Sequence, residues 1–135
     1  MSDCIIEAKA VTRTLGSGAR EVQALRGVDL SLSRGELTLL MGPSGSGKTT
    51  LLLVLGCMLT PTSGTVTVCG TSTTDLEKEA LARIRRDHIG FVFQSYHLFP
   101  TLTAAQNVQL ALDIRGEHGR AAVKRSREAL AMVGL

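Results

Sequence analysis

The sequence predicts an α/β fold in which a parallel sheet carries an added antiparallel portion. Three observations lead to this prediction: two long β-rich stretches near the N-terminus, two short continuous apolar runs, and helical patterns that follow them. Such an alternation of strand and helix patterns is typical of α/β domains. The 135 residues suit one small domain or part of a larger one.

The strands are predicted first. Residues 4–15 and 22–33 are rich in β-branched and aliphatic side chains and are separated by a glycine turn at 16–18, which predicts a β-hairpin. The runs ELTLLM (36–41) and HIGFVF (88–93) are almost continuously apolar, which predicts strands buried on both faces, as in a parallel sheet. SGTVTVCG (63–70) predicts one further short strand.

Four helices are predicted from apolar spacing and from their end signals. Two of them begin at capping boxes, in which a threonine is followed three residues later by Glu or Gln. The predicted helices cover residues 49–59, residues from the Thr74/Glu77 box to about 86, residues from the Thr103/Gln106 box to about 112, and residues 120–133 before Gly134.

Composition excludes several classes of function. The net charge is +3, and no basic stripe with interleaved aromatic residues is present, so we expect no nucleic-acid partner. The cationic runs 83–86 and 120–127 are interpreted as solvated helix faces. No signal peptide is recognised, and the longest apolar run is too short to span a bilayer. We therefore expect a soluble cytosolic chain.

The three cysteines are Cys4, Cys57 and Cys69, and they lack the spacing of metal ligands. We expect them to be small buried residues in a reducing compartment.

Residues 42–49 fit the pattern G-x-x-x-x-G-K-[ST], between a predicted strand and a predicted helix. Glycines at these places let successive backbone N–H groups converge on phosphate oxygens, and the helix N-terminus adds its positive dipole. The lysine supplies a mobile charge for the β- and γ-phosphates, and the threonine offers a hydroxyl to Mg²⁺. The predicted nucleotide-binding residues are Gly42, Pro43, Ser44, Gly45, Ser46, Gly47, Lys48 and Thr49.

Phosphate loops serve many reactions, and other residues narrow the choice. A GTPase would carry an N-K-x-D motif, which this sequence lacks. Gln94 directly follows the predicted strand 88–93. Because the carboxyl ends of parallel strands line the ligand crevice, Gln94 can face the γ-phosphate and its Mg²⁺. The alternative is a surface glutamine without a role.

The stretches LMGPSGSGKTTLLLVLGCMLTPTSGTVTVCG and RRDHIGFVFQSYHLFPTLTAAQNVQLAL resemble the nucleotide-binding subunits of ABC transporters. More narrowly, they are similar to the macrolide-exporter and lipoprotein-releasing group, over about residues 5–135. The resemblance implies a phosphate-loop (P-loop) NTPase core up to about residue 94 and the start of a helical subdomain over about 95–135. It implies that residues 42–49 form the Walker A loop, with Thr50 also close to the phosphates. It implies that Lys48 and Gln94 act in ATP hydrolysis, and that Thr49 and Gln94 hold Mg²⁺.

The resemblance also implies partners. Subunits of this family work as dimers on the inner face of the membrane, where a permease inserts a short helix beside the Q-loop, the segment whose glutamine corresponds to Gln94. The apolar groove that receives this helix would be lined by Tyr96, Leu98, Phe99 and Leu102. Core packing of these four side chains is the alternative.

Two departures from the family pattern are visible. The family usually places an aromatic residue against adenine, where this sequence has Thr14 or Leu15, so an aliphatic contact such as Val22 would have to serve. The LSGGQ-type signature, the Walker B Asp-Glu pair and the switch histidine are not found. Asp113 is interpreted as a helix-end acid, and His88, His97 and His118 fall too early for the switch.

Three interpretations follow. The chain is the N-terminal portion of an ABC exporter ATPase, with an incomplete sheet and without the groups for hydrolysis on its own. Alternatively, it is a regulatory module that binds ATP without hydrolysing it. A different phosphate-loop enzyme, such as a small kinase, is the third interpretation, for which no acceptor site is recognised.

Overall fold

A computed structural model describes residues 4–135, which form two compact units, one ending at Ile89 and the other spanning Gly90–Leu135. The first unit contains four strands and two helices, and the second contains two helices. The strands are β1 (Cys4–Leu15), β2 (Val22–Ser33), β3 (Ser63–Val68) and β4 (Thr71–Ser72). The helices are α1 (Lys48–Leu55), α2 (Lys78–His88), α3 (Ala104–Ile114) and α4 (Gly119–Ala131). Over residues 4–135, none of these helices combines the length and apolar character that a bilayer span requires.

The strands form one antiparallel sheet in the order β2-β1-β3-β4. The predicted hairpin is confirmed as β1 and β2, and its turn contains a short 3-10 helix over Gly18–Arg20. The predicted strand near residues 63–70 is confirmed as β3. The α/β class is therefore correct, and the antiparallel portion is the part of the sheet that is formed among residues 4–135.

The core of the first unit lies between this sheet and α1. The sheet contributes the fully buried side chains of Val11, Val66 and Val68, and α1 contributes Val54 and Leu55. Burying an aliphatic side chain of this size stabilises the folded state by about 1.5–3 kcal/mol. This packing sets α1, and with it the loop before α1, against the hairpin.

The helix predictions are correct in number and partly wrong at the ends. The capping box at Thr103 is confirmed: its Oγ1 accepts from the Gln106 N–H at 3.2 Å, and the Gln106 Oε1 accepts from the Thr103 N–H at 2.8 Å. The box at Thr74 is wrong, because its Oγ1 accepts from the Val66 N–H of β3 and α2 begins only at Lys78. Helix α1 is also shorter than predicted and ends before Gly56.

The structure places the acidic residue and two of the histidines that the sequence analysis excluded as Walker B and switch residues. Asp113 falls in the last turn of α3, as predicted, and accepts a hydrogen bond from the His118 ring at 3.2 Å. His118 immediately precedes α4, in the predicted turn. His88 ends α2, so the expectation that it starts a strand is wrong.

The two predicted buried strands are wrong for the described residues. Neither 36–41 nor 88–93 is assigned as a strand, and the side chains of Leu37, Met41 and Val92 are 98%, 77% and 90% exposed. The physical reason is pairing: a strand exists only when a neighbour satisfies its backbone N–H and C=O groups. Between residues 4 and 135 no segment pairs with them. The expectation of an incomplete sheet is confirmed.

The expectation of buried cysteines is correct at one position only. Cys57 is buried, Cys4 is half-buried and Cys69 is exposed, and all three are free thiols. Burial raises the pKa of the Cys57 thiol. Deprotonation to the reactive thiolate is therefore suppressed at Cys57.

Gly64→Ala provides a test of the β1–β3 pairing. Gly64 has φ of +83°, and a Cβ there would lie 2.4 Å from the Ala10 carbonyl oxygen. Gly70 has φ of +80° with open space around it, so it is the matched control. We expect Gly70→Ala to lower the free energy of unfolding by about 1 kcal/mol, the cost of the left-handed conformation. Gly64→Ala should cost at least about twice as much because a backbone clash is added. Urea unfolding of both variants measures the difference, and equal losses would contradict the pairing described.

Candidate functional site

The glycine-rich segment of residues 42–47 is an irregular loop that leads directly into α1. Gly42, Gly45 and Gly47 have φ of +154°, +78° and +89°, in the region that side chains avoid. Gly47 is the N-cap of α1, and no acidic residue lies in the first helical turn. The expectation that these glycines adopt conformations closed to other residues is confirmed. The unpaired N–H groups of the first turn of α1 lie at this loop, where they can bind an anion.

Contact with β2 fixes the position of the loop. A Cβ at Gly47 would lie 2.4 Å from the Ala24 carbonyl oxygen and 3.3 Å from a methyl group of Leu25. No side chain fits in that space, so the glycine allows the loop backbone to pack directly on the strand. The loop and the hairpin therefore line the same groove from two sides.

The side chain of Lys48 extends back toward the start of the loop. Its Nζ donates to the carbonyl oxygens of Gly42 and Pro43 at 2.7 and 2.6 Å, with the Ser46 Oγ at 3.3 Å. These bonds hold an ammonium group at the mouth of the loop. An anion bound there would meet this charge together with the backbone N–H groups and the helix dipole.

The groove beside the loop has a volume of about 680 Å³. It is lined on one side by the hairpin and on the other by the loop and the start of α1. The lining residues are Leu15, Val22, Gln23, Ala24, Arg26, Ser44, Gly45, Ser46, Gly47, Lys48, Thr49 and Thr50. All predicted loop residues except Gly42 and Pro43 therefore share one groove, and those two hold the lysine.

Gln94 lies in the second unit, in the irregular segment after Phe93, and its side chain is exposed. The ring of Phe93 packs against Phe91 and His97, with centroids 4.7 and 4.2 Å apart. Tyr96 and His97 follow with positive φ of 60° and 51°. Ring packing thus stabilises the segment around Gln94, and the two left-handed residues turn the backbone after it.

Three of the four predicted groove residues are on the surface. Tyr96, Leu98 and Phe99 are 75%, 66% and 54% exposed, so the alternative of core packing is wrong for them within the described residues. Leu102 is half-buried. Asn107 of α3 holds this loop, because its side-chain oxygen accepts from the Phe99 N–H and its amide group donates to the Phe99 and Leu102 carbonyls.

Sequence reasoning missed three groove residues on β2, which are Gln23, Ala24 and Arg26. Nothing in the spacing marks them, since all three lie in a strand whose alternating pattern is interrupted. Asn107 was also missed, although it directly follows the correctly predicted capping box.

A glycine-rich loop that leads into a helix, with a lysine bonded back to the loop, is the arrangement of the phosphate-loop class of domains. A family model described as "ABC transporter" matches residues 25–135. The chain belongs to the ABC transporter family, as the resemblance implied. The match covers the loop, the site lysine and Gln94.

Similar proteins agree with this assignment. The chain is 43% identical over its whole length to a macrolide export ATP-binding/permease protein of Rhodopseudomonas palustris. It is 42% identical over the same length to one of Aeromonas hydrophila, and 43% identical over 131 residues to one of Salmonella choleraesuis. The chain spans about a fifth of the length of these relatives, 21% in the first two and 20% in the third.

Solved structures give the same fold. An ATP-binding cassette solved as a dimer in a post-hydrolysis state with ADP and Pi matches at 42% identity with a TM-score of 0.90. The match covers 97% of this chain and 58% of that one. A dimeric bacterial ABC transporter cassette matches at 42% identity and a TM-score of 0.86, covering 94% of this chain and 55% of that one.

Proposed function

We propose that this chain binds ATP with Mg²⁺ at residues 42–50, as part of an ABC transporter that drives export or lipoprotein release through a membrane-spanning permease. The observation that carries the proposal is the Lys48 ammonium held over a loop of three positive-φ glycines at the start of α1. The relatives are macrolide export proteins in which ATP-binding and permease functions are combined, and this supports the proposed coupling.

Phosphates are proposed to bind at the loop. The backbone N–H groups of the loop and of the first turn of α1 would donate to the β- and γ-phosphate oxygens, and Lys48 would neutralise charge. Thr49 is exposed in the groove, and its hydroxyl is an oxygen donor of the kind Mg²⁺ prefers. Bound Mg²⁺ supplies charge neutralisation of the triphosphate. We propose Gln94 as a second ligand that responds to the γ-phosphate.

The adenine ring of ATP is proposed to lie against Leu15 and Val22. These side chains line the groove at its hairpin end and are 37% and 63% exposed. Aliphatic side chains offer dispersion and apolar burial, but they lack the ring face that stacks on a base. The phosphate end therefore carries most of the proposed affinity.

Removing the lysine tests the proposed phosphate site. Lys48→Ala should weaken ATP binding roughly 10- to 100-fold, because a charge-assisted bond to phosphate contributes about 1.5–3 kcal/mol. Isothermal titration calorimetry of the chain with Mg²⁺ and ATP measures the dissociation constant of ATP for wild type and variant. Lys78→Ala, an exposed lysine at the start of α2, is the control and should bind like wild type.

The same variant must remain folded for this result to be informative. The three contacts of Lys48 are at the surface, so we expect the free energy of unfolding to change by less than about 0.5 kcal/mol. Equal ATP affinity in Lys48→Ala and wild type would overturn the proposed site.

Gln94→Ala separates metal binding from nucleotide binding. We expect ATP affinity without Mg²⁺ to stay the same, while the gain in affinity on adding Mg²⁺ falls by about tenfold because a metal contact is lost. The measurement compares ATP dissociation constants in Mg²⁺ and in EDTA. Gln109→Ala on α3 is the control glutamine. An unchanged Mg²⁺ effect in Gln94→Ala would remove this residue from the proposed metal site.

The proposed partners follow from the relatives. The solved cassettes are dimers, which supports a second ATPase subunit, and the relatives named ATP-binding/permease proteins support a permease. The exposed side chains of Tyr96, Leu98 and Phe99, with Leu102 beside them, would contact the permease. The chain would then lie on the cytoplasmic face of the membrane through this contact.

Hydrolysis is proposed to need groups that these 135 residues do not supply. The chain provides Lys48 and loop amides for charge neutralisation, but phosphoryl transfer to water also needs an oriented water and usually a base. We find no Walker B Asp-Glu pair, signature or switch histidine in the sequence. The chain alone would thus bind ATP without turnover, the behaviour also expected of a regulatory ATP-binding module.

Phosphate release from Mg²⁺-ATP tests this. We expect the 135-residue chain to release phosphate at the background rate, the same rate as Lys48→Ala. Turnover by the chain that Lys48→Ala abolishes would show that these residues themselves complete the catalytic site, and would contradict the proposed deficiency.

A further inference from the structure

Two irregularities in β2 re-aim the side chain of Arg26. In the pairing of β1 with β2, Thr12 faces Arg26 and Arg13 faces Leu25, while Ala24 and Gly27 have no partner. Bulges of this kind bend a strand and redirect neighbouring side chains. Between them, Leu25 turns into the core, where it is 4% exposed, and Arg26 turns to the surface.

The side to which Arg26 turns is the side of the phosphate loop. Arg26 lines the groove that contains residues 44–50, and it also lines an adjoining pocket of about 350 Å³ with Gly45 and Ser46. The close approach of Gly47 to the Ala24 carbonyl oxygen holds the loop against this part of β2. Arg26 is thus placed beside the loop by backbone geometry.

The charge of Arg26 is not compensated in the part of the chain that the structure describes. No ion pair or hydrogen bond of its guanidinium is found among residues 4–135. Neither the groove nor the adjoining pocket is lined by an acidic residue. Lys48, by contrast, already donates to the loop carbonyls. The site therefore contains a second cation with its donors free.

We propose that Arg26 is a nucleotide-contacting residue that donates to the phosphate chain of the bound nucleotide from the β2 side of the groove. The inference rests on the proposed ATP site. A guanidinium presents several fixed donors that match phosphate oxygens, and its charge is retained at any physiological pH. Lys48 and Arg26 would then hold the phosphate chain from two sides.

The experiment measures the affinities of AMP, ADP and ATP for wild type and Arg26→Gln at low and high salt. We expect Arg26→Gln to weaken ATP by about fivefold at low salt, with smaller losses for ADP and AMP in that order. The salt dependence of ATP binding should also decrease, because a screened charge has been removed. Arg83→Gln on α2 is the matched control: Arg83 is also exposed and should change none of these values.

Arg26→Lys keeps the charge and should retain most of the ATP affinity. If Arg26→Gln fails to fold, Arg26→Lys takes its place in the test. The inference would then be overturned if Arg26→Lys bound ATP no more tightly than it binds AMP. Equal losses for all three nucleotides in Arg26→Gln would indicate a base or sugar contact and would overturn it, as would no loss at all.

The two proposals fail differently. If wild type binds ATP and Arg26→Gln binds it equally well, only the role of Arg26 is wrong. If wild type itself does not bind ATP, the proposed nucleotide site is wrong and the role of Arg26 falls with it.

Discussion

The contact between Gly47 and the Ala24 carbonyl oxygen is the constraint on which the site depends. It joins the two parts that a nucleotide would contact together: a loop with free N–H groups and a hairpin that lines the other side of the groove. Any side chain at position 47 would push the loop away from β2 and open the groove. The core supports this contact from below, because Val54 and Leu55 of α1 pack against the sheet and leave the helix little freedom to retreat.

Charge in the site is arranged around that contact. The Lys48 ammonium is bonded to carbonyl oxygens of its own loop, so its position is set before any ligand binds. Preorganised charge costs less to use than charge that must first be ordered, because side-chain entropy is lost during folding and not during binding. Arg26 differs, since its side chain is exposed and unbonded among the described residues and would lose freedom on binding. This difference is why its expected contribution is the smaller one.

Features decided by local chemistry could be predicted from the sequence. The hairpin, the capping box at Thr103 and the loop glycines depend on neighbouring residues, and the structure has them as expected. Thr74 shows the limit: it has the right spacing for a cap, but its hydroxyl bonds to the Val66 N–H, a contact made by folding of the chain onto β3. The bulges that aim Arg26 also depend on pairing register, which no short pattern records.

The segment 36–41 shows why a strand pattern alone is insufficient. Its apolar residues fit a buried strand, yet Leu37, Leu39 and Met41 are exposed, because no ladder forms on either side within residues 4–135. An exposed, apolar and unpaired segment is prone to associate with other strands. The matches to the solved cassettes cover 58% and 55% of those chains, so each of them contains further chain that these residues do not match. The proposed phosphate site is built from the loop, α1 and the hairpin, which are all formed. A loop of this kind forms from its own residues and its neighbours in the chain, whereas a buried strand forms only where another segment pairs with it, and a short apolar run does not say which segment that is.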